Sequence, residues 1–422
     1  MLQLSKISQN TDSIIKGLEL RNFDGNEAIK KILAEDAIRK ETQQKLEEIL
    51  SNLNKQSKII GQLFKEGNIK EANKAKEQTT ILKKESKQFS EKLTEIETSI
   101  KNLLYTIPNI PHSSVPKGNS ENDNELITKN GKVPQLYENA KPHWELATKY
   151  DIIDFELGSK ITGSGFPVYK GKGARLQRAL INFFLDQAEK SGYKEMQPPI
   201  LVNEESGYGT GQLPDKDAQM YHVGLDNLYL SPTAEVPLTN IYRNTILNQE
   251  DLPIKITAYT PCFRREAGSY GKDVKGLNRL HQFDKVEIVQ ITEPSNSYNT
   301  LEEMCNYVEE ILNLLELPYR KVKLCGGDLG FTSALTYDME VYSAAQEKWL
   351  EVSSISNFEN YQANRLKLRY RNNQKKELVH TLNGSALALP RIVAALLENN
   401  QNSEGINIPK ALQPYTVFEK IN

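Results

Sequence analysis

From Ala72 onward the apolar and small residues step three and four positions in strict alternation. They are Ala72, Ala75, Thr79, Leu82, Ser86, Phe89, Leu93, Ile96, Ile100 and Leu103. That rhythm predicts one long helix with a coiled-coil seam. Upstream, Leu46, Leu50, Leu53, Ser57, Ile60 and Phe64 form a second stripe, and Glu66-Gly67-Asn68 between the two favours a turn. Two helices joined this way predict an antiparallel coiled-coil hairpin. Each is expected to run about 30 residues, on the order of 45 Å at 1.5 Å per residue. Taken alone, such a segment is more simply a spacer or a dimerisation element. Its outer faces carry Lys55, Lys58, Lys65, Lys70, Lys74, Lys76, Lys83, Lys84 and Lys87 among interleaved glutamates. The lysine excess near the turn leaves room for a phosphate-contacting tip.

Pro108, Pro111 and Pro116, in a stretch ending SSVPKGNSENDNE, then break the helical pattern. The expected division is an arm over 1–108 and a second domain over 109–422. In the second domain, Arg175–Ser191 reads as an amphipathic helix, with Leu176, Ala179, Leu180, Phe183, Phe184 and Ala188 on one side. Short strand-like runs follow, with connections too short for βαβ crossovers. The expected class is α+β: an antiparallel sheet with flanking helices, beside the N-terminal hairpin.

Composition narrows the function classes. The 422 residues are 38% hydrophobic and 26% charged, with net charge −2, so any polyanion site must be a local patch. Three cysteines form no CxxC pair, and five scattered histidines show no zinc-ligand spacing. No signal-peptide pattern and no run of about 18 apolar residues is present. A cytoplasmic location and no membrane span are expected.

The chemistry concentrates in 260–290, which contains PCFRREAGSYGKDVKGLNRLHQFDKVEIVQ. Two strand-like stretches flank a basic, glycine-rich middle with Gly268, Gly271, Lys272, Lys275, Gly276 and Arg279. Strand parity puts Arg264 and Glu266 on one face of the first strand. It puts His281, Phe283, Lys285 and Glu287 on one face of the second. An arginine can stabilise charge on a phosphate, a phenylalanine can stack on a purine, and a carboxylate can accept from an amine or hydroxyl. Those parts suit nucleotidyl transfer; a charged hairpin with solvated salt bridges is an even alternative on residue types alone.

FRREAGSYGKDVKGLNRLHQFDKVE closely resembles motif 2 of the class II aminoacyl-tRNA synthetases, in the form found in the seryl-tRNA synthetase family. SGYKEMQPPILVNEESGYGTGQLP resembles motif 1, a helix and strand ending near Pro199 that builds the family's dimer interface. LYLSPTAEVPLTNIY carries Thr233-Ala234-Glu235, similar to the family's serine-binding TxE loop; three such residues alone suit a helix N-cap equally well. LEVSSISNFENYQANR resembles the ATP and metal segment. HTLNGSALALPRIVAALLENNQ resembles motif 3, with Asn383 and Ser385 expected at a turn and Arg391 on the following helix. The resemblance covers nearly the whole chain, including the helical arm and the linker. Two departures are Ile355, where the family often has cysteine, and Tyr342-Ser343, where it often has Trp-Pro. No GxxxxGK[ST] loop competes.

The resemblance implies a serine–tRNA ligase that uses ATP, L-serine and tRNA(Ser), with tRNA(Sec) a further substrate where an organism has it. A homodimer is implied, as are Mg²⁺ accompanying ATP and no zinc. Arg264 and Arg391 are implied as the catalytic charges. Thr233, Ala234, Glu235, Arg264, Glu287, Asn383 and Ser385 are implied around serine. Arg264, Arg265, Glu266, Leu280, Phe283, Glu351, Val352, Ser353, Ser354 and Arg391 are implied around ATP, and Glu351 and Ser354 around the metal, whose hardness suits oxygen ligands. Three rivals differ in detail. A ligase acting on a carrier protein lacks the long hairpin. A decayed synthetase need not retain Arg264, Glu266, Glu287, Glu351 and Arg391. A synthetase for threonine, proline or glycine fits the TAE loop and the arm less well.

Overall fold

The computed structural model describes residues 1–215, 217–266, 275–373 and 375–422. The chain forms two compact units, one of residues 2–19 and 23–108, the other of Met1, 20–22 and 109–422.

The first unit opens with two short helices, α1 (Leu4–Gln9) and α2 (Thr11–Glu19), which the sequence pattern did not single out. It continues into the hairpin of α3 (Asn26–Lys65) and α4 (Ile69–Tyr105). These helices have 40 and 37 residues, longer than the expected 30. Polar seam positions in α3 such as Thr42 and Gln56 masked the full extent of the pattern there. All ten seam positions read in α4 are buried or half-buried. In α3 the register differs from the expectation. Leu46, Leu53 and Ile60 face inward, but Leu50, Ser57 and Phe64 are exposed. The inward set is Thr42, Leu46, Ile49, Leu53, Gln56, Ile60 and Leu63. Leucine-rich stretches allow two neighbouring stripes, and only the partner helix selects one. The turn is a Schellman closure: Asn68 N–H donates to Leu63 O at 2.9 Å and Gly67 adopts φ +77.

The second unit is built on an eight-stranded sheet. Its strands are β1 (Glu125–Asn130), β2 (Lys194–Glu195), β3 (Ile254–Phe263), β4 (Gln282–Thr292), β5 (Tyr319–Lys323), β6 (Leu335–Ser343), β7 (Lys348–Asn357) and β8 (His380–Ala388). The spatial order is β1-β5-β6-β7-β8-β4-β3-β2. Every pairing is antiparallel except that of the short edge strand β2 with β3. The class is α+β, as the sequence implied. Helices α5 (Gly171–Lys190), α6 (Ser297–Leu314) and α7 (Leu389–Asn399) cover one face. Leu335, Tyr337, Met339, Val352, Ile355, Leu382, Ala386, Val286 and Ile288 from the strands join them in one core. The six apolar residues read on Arg175–Ser191 are all buried in α5. Residues of opposite parity point to the other face, and there the polar groups collect. The three cysteines are buried and free, and no described helix is long and apolar enough to cross a membrane.

Candidate active site

Glu287, near the middle of β4, is 1% exposed and stands opposite Ser385 of β8. Its Oε1 accepts from Asn383 Nδ2 at 2.9 Å, and its Oε2 lies 2.5 Å from Lys285 Nζ. Lys285 also donates to Thr233 Oγ1 at 2.8 Å. Asn383 and Ser385 are thus strand residues, not turn residues: β8 runs on to Ala388 before α7 begins. A second carboxylate, Glu235, opens the short helix Glu235–Asn240 and is 6% exposed. Gln362 Nε2 donates to it at 2.6 Å, and Thr381 orients Gln362 by donating to its Oε1 at 2.7 Å. Burial first, and the Glu287 charge second, push the Glu235 carboxyl up to about 7. Thr233, Glu235, Glu287, Asn383 and Ser385 therefore meet in one buried polar pocket. Ala234 is wholly buried against Leu238, Ala258 and Val289, so only its backbone can serve the pocket. Lys285 and Gln362 belong to this pocket too. Lys285 shares strand parity with Glu287 and was legible; nothing in the sequence marks Gln362.

Arg264 links this pocket to Phe283. Its Nε donates to Pro232 O at 3.4 Å, next to Thr233, and its guanidinium carbon lies 5.2 Å from the Phe283 ring centroid. β3 ends at Phe263, so Arg264 and Glu266 lie beyond the strand, and parity does not govern them. Glu266 adopts φ +50 and pairs with Arg279 at 2.5 Å. Arg265 turns elsewhere, over the Tyr221 ring and onto Met220 O at 3.1 Å. It lines a groove with Tyr208, Met220 and Tyr229. His281 precedes β4 and stacks on Phe166, with ring centroids 5.5 Å apart. Leu280 is buried, so its side chain belongs to the core. Gly268, Gly271 and Lys272 lie outside the described residues.

The third cluster sits on β6, β7 and α7. Arg391 donates from Nε to Asn278 O at 3.1 Å and from Nη1 to Glu351 O at 2.7 Å. Its Nη1 is also 3.5 Å from the Glu351 carboxylate. Asn278 lies three residues before His281, whose carbonyl accepts from Arg264 N at 2.9 Å. One short return segment therefore anchors both arginines. Glu351 and Ser354 are three apart in β7, a spacing that regular parity sends to opposite faces. A bulge skips Val352: Met339 pairs with Ser353 and Glu340 with Glu351. The extra residue restores Glu351 to the face of Ser354. Val352 itself packs into the core, and Ser353 Oγ donates to Ser385 O at 2.6 Å. Asp338, opposite Ser354, was not singled out by sequence. Its Oδ1 is buried with no hydrogen-bond partner among the described residues. Burial and the Glu351 charge hold its carboxyl well above the usual range. The Asp338 carboxyl, bonded to Ser354 and with Oδ1 still unpartnered, joins Glu351 and Ser354 in an all-oxygen donor set that suits a hard divalent cation.

Sequence and structure comparisons identify the family. Residues 1–111 match the seryl-tRNA synthetase N-terminal domain, and residues 221–400 match the class II tRNA synthetase core domain of the G, H, P, S and T enzymes. The serine–tRNA ligase of Salinibacter ruber is 50% identical over 424 residues, covering 100% of this chain and 99% of that one. That of Finegoldia magna is 46% identical and covers 100% of both. Among solved structures, seryl-tRNA synthetase from Pyrococcus horikoshii complexed with ATP superposes with TM-score 0.91 at 33% identity, covering 100% and 99% of the two chains. The cytoplasmic serine–tRNA ligase of Naegleria fowleri in complex with AMP gives 0.85 at 27%, covering 98% and 96%. With both domains matched in order and full-length relatives at half identity, the chain belongs to the seryl-tRNA synthetase family.

Proposed function

We propose that the family's reaction, ATP-driven ligation of serine to tRNA, runs across the polar face of this sheet with the residues above in defined roles. The observation that carries the reading is Arg264. It stands between the Pro232 carbonyl, beside the amino-acid pocket, and the Phe283 ring, the platform for adenine. The bond to be made joins a carboxylate to the α-phosphate, so the charge of the transition state develops there. A guanidinium at that point stabilises it.

The pocket is chemically suited to an amino acid. Glu235 and Glu287 supply two buried carboxylates, and Lys285 supplies one cation between them. A substrate ammonium at Glu235 completes the balance. Glu287, with Thr233, Asn383 and Ser385, then reads the side-chain hydroxyl. Alanine leaves these partners unpaired, which gives discrimination of ~10⁴. The serine carboxylate attacks the α-phosphate, releasing pyrophosphate and leaving seryl-adenylate. A terminal ribose hydroxyl of the tRNA then attacks the acyl carbon, and AMP leaves. Phe283 stacks on adenine, while Glu266, steadied by Arg279, and the Leu280 backbone hold its edge. Arg391 takes the far end of the triphosphate. Glu351, Ser354 and Asp338 would hold Mg²⁺, which when bound supplies charge stabilisation to the phosphates. Catalysis is otherwise positioning of the two reactants.

The arm over 1–108 serves as the tRNA grip, its tip lysines meeting phosphates. The exposed edge strand β2, in the segment that resembles motif 1, serves as a homodimer interface. Serine-dependent ATP–pyrophosphate exchange tests the reading, with threonine, proline and glycine as controls. Exchange that persists in Arg264→Ala, or that runs equally on threonine, rejects it.

A further inference from the structure

His143 and Glu398 form a fully buried pair behind the site, with side-chain exposures of 0% and 0%. Glu398 Oε1 accepts from the His143 backbone N–H at 2.8 Å and lies 2.6 Å from Nδ1. Gln346 Nε2 donates to the same oxygen at 2.9 Å, and the Ser343 hydroxyl donates to the other. Burial alone raises the Glu398 carboxyl, but these donors outweigh it and hold the group below its ordinary value. Glu398 is therefore an acceptor only, and His143 must carry its proton on Nδ1. That leaves Nε2 bare, and it accepts the Leu277 backbone N–H at 2.8 Å. The neighbours are gripped as well. Gly276 adopts φ +66, and a Cβ there would fall 2.2 Å from His143 Nε2. Lys275 Nζ sits 4.6 Å from the centroid of Trp144. Asn278 comes next, bonded to Gln346 Oε1 at 2.9 Å, and its carbonyl receives Arg391 Nε.

We infer that His143 is a positioning residue for the ligase reaction: through Nε2 it fixes the backbone of Leu277 and Asn278, whose carbonyl aims Arg391 at the triphosphate. This rests on the reading of Arg391 given above. The tautomer is what the role requires. A doubly protonated or Nε2-protonated ring would turn a donor toward the Leu277 N–H and release the segment. Glu398 sets the tautomer, and Gln346 ties both ends of the relay together.

Two substitutions separate this role from simple core packing. His143→Asn keeps a donor near Nδ1 for Glu398 but abandons Leu277. His143→Gln carries an acceptor to the Nε2 position. Losing one backbone hydrogen bond that aims the arginine is expected to raise KM for ATP about tenfold in His143→Asn, while His143→Gln stays within about twofold; tenfold corresponds to ~1.4 kcal/mol. KM for serine is unchanged in both. Hydrogen exchange at 275–278 speeds up in His143→Asn only, and Gly276→Ala reproduces the His143→Asn pattern. Equal ATP kinetics and equal exchange in the Asn and Gln variants, or a loss in both that follows Tm, overturn the inference. Arg391→Ala is the control. If it too leaves ATP kinetics unchanged, the triphosphate reading fails and the inference with it. If it impairs ATP use while the two His143 variants match, the inference alone fails.

Discussion

Replacing Glu287 by glutamine removes one charge and keeps the shape. In the native pocket Glu287 accepts from Asn383 at 2.9 Å and faces Lys285 at 2.5 Å. The glutamine carbonyl can still accept from Asn383, but its amide turns a donor toward Lys285 Nζ. The lysine, 6% exposed, then keeps its hydrogen bond to Thr233 and the through-space charge of Glu235. Since the Glu287 charge helps raise the Glu235 carboxyl, its removal favours ionised Glu235, which replaces part of the lost compensation. Folding stability should therefore fall little. Binding should not escape: a hydrogen bond to a charged acceptor contributes about 1.5–3 kcal/mol, so kcat/KM for serine should drop roughly 10- to 100-fold. Discrimination against alanine should shrink by the same factor, because alanine never made that bond. KM for ATP should hold. The assay is ATP–pyrophosphate exchange with serine and alanine, beside a thermal melt of each variant. Glu287→Gln that activates serine like the parent, or that loses serine and alanine activation equally, refutes the reasoning.

Other outcomes follow from the same geometry. Glu235 titrates at about 7, and a substrate ammonium requires its ionised form. Serine binding should thus release a proton below neutral pH, and serine affinity should weaken as pH falls through 7; calorimetry in two buffers of different ionisation enthalpy reads the released proton directly. Asp338→Asn removes a carboxyl group that hydrogen-bonds Ser354, feels the Glu351 charge and keeps its Oδ1 buried without a hydrogen-bond partner among the described residues. The Mg²⁺ concentration for half-maximal exchange should rise several-fold, and more in Glu351→Gln; an unchanged Mg²⁺ titration rejects the donor set. On the arm, Ile49→Ala opens the seam while Leu50, 45% exposed, does not contribute to it. The first should cost about 1 kcal/mol or more and the second little; urea unfolding of the full chain that ranks them the other way would restore the register read from sequence.

The sequence by itself determined the hairpin, the α+β class and most of the residues that meet in the pocket. Periodicity is local, so the α4 seam could be read position by position from Ala72 to Leu103, and the buried face of α5 likewise. The resemblance to the family's motifs carried Thr233, Glu235, Arg264, Glu287 and Arg391, because each lies in a short stretch whose order the family shares. The α3 register was not local: Ile49 and Leu50 are equally apolar, and only α4 packed alongside chooses between them. Strand parity failed at Arg264 and Glu266, where the strand had already ended, and only a bulge in β7, which no spacing reveals, brings Glu351 to the face of Ser354. Asp338, Gln362 and His143 carried no signal, since what they do depends on partners 13 to 255 positions away. Pairing across a sheet and convergence of loops are long-range events. They are settled by which strand lies beside which and by burial that leaves a polar atom one available partner, and neither is written in any short window of the chain.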